Sequence, residues 1–379
     1  MQKYSDGCFA PLIIATVLIF LVGAVSLTAS ASTDLPSVNT PPLPKFVPAT
    51  AANFRFDGRF DFSDTGSPVI VWSGSRLGID FSGDRLVLVF GHAIDQNFFN
   101  VTVDGAAQIV GVPTGSGFRY VWPCALGPGR HQLELFKRSE AAKGHVPFRG
   151  VEISADEQTW MPASRTDRLR MEFFGDSITA GACNEDGATD QWDDFRTHNH
   201  ALSYAALTSV AFHADHRAMA VSGMGIVLGY VDVTAGQVWD KTYPRADSMR
   251  GDLQAWQPDV AFVNLGENDD AFSRSEHRPF PGGFAEGYVS LVRAIRSAHP
   301  RSQLVLLRGG MFGGAKSAEY RSAWEAAVKE LESNDAAIGH YVFTHWSELH
   351  PRVSDHRTMA DELTSWLKQQ PFMQKFLKD

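Results

Sequence analysis

A serine acts as a nucleophile when its hydroxyl is exposed beside a base and hydrogen-bond donors await the oxyanion its attack creates. The run Phe173-Phe174-Gly175-Asp176-Ser177-Ile178-Thr179-Ala180-Gly181 places a serine where strand text turns into helix text, with its hydroxyl exposed and its N–H near a helix start. The same residues also suit an ordinary N-cap, with Asp176 or Ser177 closing a helix. A second apolar run, Val260 to Leu265, ends at Gly266-Glu267-Asn268-Asp269. An Asn amide there can donate into the same pocket, although Gly, Asn and Asp are also turn residues. Between the two lies Ala220-Val221-Ser222-Gly223-Met224-Gly225, whose glycines can bring a backbone N–H close to a substrate oxygen or simply make a left-handed turn. Of the 13 histidines, His350, just after the last expected strand and followed by Pro351, is the best candidate for the base; His345 and His356 are its rivals.

These residues can meet only if the strands before them end at one edge. Leu169–Phe174, Val260–Leu265, Gln303–Arg308 and His340–Thr344 have the composition of buried strands. Between them run helical patterns such as Phe284, Tyr288, Leu291, Val292, Ile295 and Tyr320, Trp324, Val328, Leu331; Met359, Leu363, Trp366 and Leu367 mark a last helix. Strands alternating with amphipathic helices predict a mostly parallel sheet covered on both faces, an α/β domain over residues 166–379. In such a sheet ligands sit outside the carboxyl ends of the strands, where all the candidates fall.

Residues 51–163 are written differently. Short runs at Val69–Trp72, Leu77–Phe81, Leu86–Phe90, Phe99–Val103 and Gln132–Phe136 are broken by turns, among them the hairpin signal Asp104-Gly105. Turns every 8–12 residues without helical periodicity predict an antiparallel jelly-roll β-sandwich. Ahead of it, the apolar stretch Ala10–Leu27, with Lys3 before and Ala29-Ser30-Ala31 after, has the form of a signal peptide over 1–31. It is also just long enough to anchor the chain in a membrane if left uncleaved. Residues 32–50 carry Pro36, Pro41, Pro42, Pro44 and Pro48, the composition of a linker.

The chain has 379 residues, 44% of them hydrophobic and 20% charged, an ordinary globular balance. Its 34 Lys and Arg against 43 Asp and Glu leave a net charge of −9, and no basic run offers a nucleic-acid surface. Three cysteines make neither a disulfide scaffold nor a four-cysteine zinc site. Beyond the signal segment, Cys124 and Cys183 are expected as buried free thiols rather than a pair bridging the two domains. The densest acid/histidine cluster, Asp193, Asp194, His198 and His200, is expected to be a solvated loop rather than a metal site, and no metal or cofactor is called for.

Taken together, Gly175-Asp176-Ser177-Ile178-Thr179-Ala180-Gly181, Ser222-Gly223, Asn264-Leu265-Gly266-Glu267-Asn268-Asp269 and His350-Pro351 resemble the four blocks of the SGNH (GDSL) hydrolases. Phe195-Arg196-Thr197, the run Leu202–Leu207, and the sandwich with Gly58-Arg59 and Trp72-Ser73-Gly74 narrow the resemblance to carbohydrate esterase family 2, whose members join a jelly roll to an SGNH domain of flavodoxin-like, three-layer form. The likeness runs over about residues 54–370. It implies Ser177 as nucleophile, His350 as general base and acid, and an oxyanion hole from the N–H groups of Ser177 and Gly223 and the side chain of Asn268. Gly225 is the fallback if the second block aligns two residues later. The position three before the histidine, often Asp in the family, is Ser347; an acid two before it, Glu348, can orient the imidazole, or a backbone carbonyl can do so in a dyad. Glu267 occupies a slot the family often fills with a small residue, and is expected to face solvent. Trp192 suits sugar stacking or packing equally.

The activity so implied is removal of acetyl groups from O-acetylated glycans of the xylan or mannan type, by a monomeric protein outside the cytoplasm. A lipase or thioesterase of the same superfamily, or a glycan O-acetyltransferase, would use the same residues. A carbohydrate-binding protein with a decayed site is the alternative of another class, and Ser347 and Glu267 keep it open.

Overall fold

A computed structural model describes residues 43–142, 144–165 and 168–377. The apolar stretch 10–27, its cleavage signal and most of the proline-rich segment lie outside the described residues. Among the described residues no helix is long and apolar enough to cross a membrane.

The C-terminal part holds a five-stranded parallel sheet in the order Asp215–Ala220, Arg170–Gly175, Val260–Asn264, Gln303–Met311, Ile338–Ser347. Phe284, Tyr288, Leu291, Ile295, Tyr320, Trp324 and Leu331 pack one face against Phe174, Val263, Leu304 and Leu306. Tyr204, Met359, Leu363 and Leu367 pack the other against Met171, Phe173, Phe262, Val305 and Leu307. Alternate residues of each strand therefore face opposite helical layers, which is why the strands read as continuous apolar runs. The order has the second strand in sequence at one edge and the first beside it, so the chain reverses direction between Arg170–Gly175 and Val260–Asn264, where such folds open a crevice.

Asp215–Ala220 is a strand the apolar pattern did not reveal. Its first residues, Asp215, His216 and Arg217, are polar because this edge faces the N-terminal domain: Arg76 Nη2 of that domain lies 3.3 Å from His216 Nδ1.

The N-terminal part is the expected jelly-roll sandwich. One antiparallel sheet runs Phe60–Asp61, Val69–Ile70, Val146–Ile153, Leu86–Phe90, Phe118–Val121; the other runs Thr159–Trp160, Arg76–Ser82, Arg130–Lys137, Asn97–Val103, Ala106–Val112. Ile79, Phe81, Phe90, Phe99, Val101, Leu133, Leu135, Phe148 and Val151 fill the space between them. The Asp104-Gly105 hairpin forms with both residues at positive φ, 51° and 85°, as its twist requires.

Two boundaries move. The segment expected as linker over 32–50 contributes a strand, Lys45–Pro48, paired with Gly150–Ile153. Proline is tolerated on an outer strand that needs donors on one side only, and the close approach depends on Gly150, where a Cβ would sit 2.0 Å from Val47 O. The strand expected over Val69–Trp72 stops at Ile70, because Trp72 turns away to donate from its indole to Thr242 O at 3.0 Å in the hydrolase domain.

That contact belongs to an extensive interface. Arg59 donates to Trp239 O at 2.7 Å and pairs with Glu172 at 3.3 Å, while Tyr243 donates to Asp61 at 2.8 Å. His200 and His216 meet at 3.2 Å between the domains, with Phe136 stacked on His200. Burial lowers His200 to about 4 and His216 well below the usual histidine range, so both are neutral. His198 and His200 are thus fully buried, against the expectation of a solvated loop, because the sandwich covers them. Cys183 is a buried free thiol as expected; Cys124 is half-buried and disulfide-bonded, which corrects the expectation for it.

Candidate active site

Strand register builds the site. Gly175 is aligned with Ala220 on one side and Asn264 on the other, so the segments beyond all three leave the sheet at one level. Ser177 opens the helix Ser177–Ala180, capped by Asp176 through a bond from Ile178 N at 3.0 Å. At this first helical position its N–H has no intrahelical acceptor. The N-cap alternative is therefore realised by Asp176, which leaves Ser177 free for other work. Gly223 follows Ala220 by three residues with φ of 80°, a conformation that favours glycine. Asn268 lies on the first turn of Glu267–Ser275.

Ser177, Gly223, Asn268, His350, Asp190 and Trp192 line one cavity of about 730 Å³. His350 Nε2 lies 2.9 Å from Ser177 Oγ. The other ring nitrogen, Nδ1, lies 2.8 Å from Asp190 Oδ2, and Asp190 Oδ1 accepts from Arg352 at 2.7 Å. Burial opposes ionisation of Asp190, but the bonds from His350 and Arg352 outweigh it and hold its carboxyl down at about 2. An ionised Asp190 fixes the proton on Nδ1 and leaves the Nε2 lone pair to the serine.

This overturns the expectation for Glu348, which is exposed at the cavity mouth while Asp190 occupies the orienting position. Asp190 had no strong signal: it is one of five acids between Glu185 and Asp194, in irregular chain. The one hint is Arg352, two residues past the histidine, a cation that needs an anion. The rivals are elsewhere: His345 pairs with Asp355 at 2.8 Å, and His356 is buried, its Nδ1 accepting from Tyr204 N at 3.1 Å.

The loop that carries Gly223 is held from several sides. Asp269 accepts from Ile226 N, Val227 N and Leu228 N at 2.8, 2.8 and 2.9 Å. Burial nevertheless raises its carboxyl to about 6. Gly225 sits against this turn, where a Cβ would lie 1.7 Å from Leu228 O, and it is not among the lining residues; Gly223 is. Asn268 Nδ2 donates to Met224 O at 3.0 Å and lies 3.3 Å from Asp176 Oδ2. Burial raises Asp176 to about 8.

Glu267 does not face solvent. It is buried, and its two oxygens accept from Gly313 N at 2.7 Å and Gly314 N at 2.8 Å, which anchors the Met311–Phe312 wall of the cavity. The slot holds a large acid because two backbone donors need acceptors. Trp192 meets the His350 ring edge-on at 4.4 Å and remains 41% exposed, so it packs on the histidine and also presents a face to the cavity.

The acid loop is fastened to the sandwich: Gln96 donates to Asp193 O at 2.7 Å and accepts from Phe195 N at 3.1 Å. Cys183, Asp186 and Asp190 bring ligand atoms within 4.8 Å of one another. Both Asp190 oxygens are already engaged, however, and burial pushes the Cys183 thiol up, which argues against a cation there.

A parallel sheet with a serine, a histidine and a carboxylate in line over its switch point has the form of a carboxylic ester hydrolase of the three-layer α/β kind. The chain belongs to the GDSL-like lipase/acylhydrolase family, whose model matches residues 173–363. Its sandwich matches the carbohydrate esterase 2 N-terminal model over residues 56–163. It is 28% identical to the cellulase/esterase CelE of Acetivibrio thermocellus over 83% of this chain and 39% of CelE, so the chain spans well under half the length of that relative. It is 27% identical to an acetylxylan esterase/glucomannan deacetylase of Cellvibrio japonicus, over 79% of this chain and 84% of that protein. A family two carbohydrate esterase from Clostridium thermocellum, solved with cellohexaose, superposes with a TM-score of 0.75 at 27% identity, covering 83% of this chain and 98% of that one.

Proposed function

We propose that this carbohydrate esterase is an exported deacetylase that removes O-acetyl groups from xylan- or mannan-type glycans through an acetyl-enzyme on Ser177. The observation that carries this reading is the line Ser177 Oγ–His350 Nε2 at 2.9 Å and His350 Nδ1–Asp190 Oδ2 at 2.8 Å, opening on the cavity. His350 takes the hydroxyl proton as Ser177 Oγ attacks the acetyl carbonyl carbon. The carbonyl oxygen becomes the oxyanion, received by the N–H groups of Ser177 and Gly223 and the amide of Asn268. The tetrahedral intermediate collapses, the sugar oxygen leaves with the proton from His350, and acetyl remains on Ser177. Water, deprotonated by His350, attacks the ester; acetate leaves and Ser177 regains its proton.

The acetyl substrate is supported by the acetylxylan esterase/glucomannan deacetylase relative. Export is supported by the apolar stretch 10–27 with Ala29-Ser30-Ala31 behind it. The test is acetate release from acetylated xylan and acetylated glucomannan by wild type and Ser177→Ala. Release by wild type, lost in the variant, is expected. Hydrolysis of long-chain acyl esters in preference to either glycan would favour the lipase alternative instead.

A further inference from the structure

The sandwich sends one carboxylate across the domain interface to the catalytic loop. Glu140 stands three residues past the strand Arg130–Lys137, is 1% exposed, and lines the catalytic cavity. Its Oε2 accepts from Ser222 N at 3.0 Å, and its Oε1 lies 3.4 Å from His198 Nδ1. Burial opposes ionisation of Glu140, but its bonds to His198 and Ser222 prevail and keep its carboxyl below the ordinary range. Ser222 immediately precedes Gly223. The N–H that Glu140 holds and the N–H offered to the oxyanion lie on successive peptide planes, with only the two dihedrals of Ser222 between them. Asp269 pins the same loop at residues 226–228, downstream of Gly223. The loop is thus clamped on both sides of the donor: one clamp comes from the hydrolase domain, the other from the sandwich.

We infer that Glu140 is a positioning residue for the oxyanion hole, supplied in trans to the catalytic fold by the jelly-roll domain. The sandwich is then a structural part of the catalytic site as well as a covering for the edge strand. Without the acceptor, the Ser222 N–H is buried and unsatisfied, and the loop can relieve that only by turning its peptide, which carries the Gly223 N–H out of alignment. The effect falls on the step in which charge develops on the oxygen, so it lowers kcat more than it alters KM.

The inference rests on the esterase reading above, and its test is read on p-nitrophenyl acetate so that the two fail separately. A wild type active on that ester but inert on acetylated glycans overturns the substrate reading and leaves this test intact. Three variants are compared with wild type and with Tyr243→Phe, which removes an interface hydrogen bond away from the cavity. Glu140→Gln keeps an acceptor for Ser222 N–H and retains kcat within roughly threefold. Glu140→Met, of similar shape but without an acceptor, loses about 10–100-fold in kcat with KM within roughly twofold, short of the loss of a donor outright. Glu140→Asp draws the carboxylate back by one methylene and behaves as Glu140→Met does, which keeps the test alive if the methionine variant does not fold. Tyr243→Phe lowers the unfolding midpoint and leaves kcat unchanged. Wild-type kcat in a folded Glu140→Met or Glu140→Asp, or a change confined to KM, overturns the assignment.

Discussion

Asp190 Oδ2 lies 2.8 Å from His350 Nδ1, although the two residues are 160 positions apart. Replacing the carboxylate by an amide reverses the polarity of that bond. Asn at 190 donates to Nδ1, moves the imidazole proton to Nε2, and leaves the nitrogen facing Ser177 unable to accept. Asp190→Asn is therefore expected to lower kcat by about 10⁴-fold and, because it gives up the ion pair with Arg352, to lower the unfolding midpoint at neutral pH as well. Glu348→Gln changes kcat by no more than roughly twofold, as for an exposed residue. Steady-state kinetics on an acetyl ester checks both; the opposite ranking would restore Glu348 as orienter.

Asn268 combines two duties, donating to Met224 O while presenting its amide to the cavity. Asn268→Ala is expected to lose about 10²–10³-fold in kcat with KM nearly unchanged, the mark of an interaction made in the transition state. An equal loss expressed only as higher KM would assign Asn268 to substrate binding instead.

Much of this site was legible in the sequence, for a physical reason. Ser177 and Asn268 each follow an apolar strand within a few residues, and register puts those strand ends at one level. Short-range text therefore carried long-range placement. His350 was found the same way, after the strand Ile338–Ser347. Asp190 sits in irregular chain whose path is set by Arg352, Gln96 and the sandwich, and nothing local distinguishes it from Asp186 or Asp193. Strand Asp215–Ala220 was hidden by polar residues that serve the domain interface. His198, His200 and Glu267 looked solvated because polar text suggests solvent, whereas here buried donors and a second domain satisfy those groups.

Glu267 anchors the cavity wall through Gly313 N and Gly314 N. Glu267→Ala leaves two buried N–H groups without acceptors and is expected to cost about 1–3 kcal/mol of stability. Because Phe312, which lines the cavity, immediately precedes the two anchored glycines, KM for a glycan substrate rises as well. Chemical denaturation combined with KM on acetylated xylan checks this. Unchanged stability would mean that water replaces the carboxylate.

His356 is buried, and burial lowers it to about 3, against about 6.5 for an unfolded histidine. Between those values the unfolded chain binds a proton that the folded protein excludes. The stability tied to neutral His356 is present above about pH 6.5 and is lost as pH falls toward 3. His356→Gln, whose side-chain oxygen can still accept from Tyr204 N, is expected to narrow the difference in unfolding midpoint between pH 7.5 and pH 5. Calorimetry at the two pH values decides it; an unchanged difference would show that His356 is not a source of the acid sensitivity.

In the proposed mechanism Ser177 carries the acetyl group between the two half-reactions. Acid quenching during turnover of p-nitrophenyl acetate, followed by peptide mapping by mass spectrometry, measures it directly. An acetyl adduct on Ser177 is expected in wild type, and in Ser177→Ala no adduct and no acetate release. An adduct on another residue, or acetate release undiminished in Ser177→Ala, would contradict it.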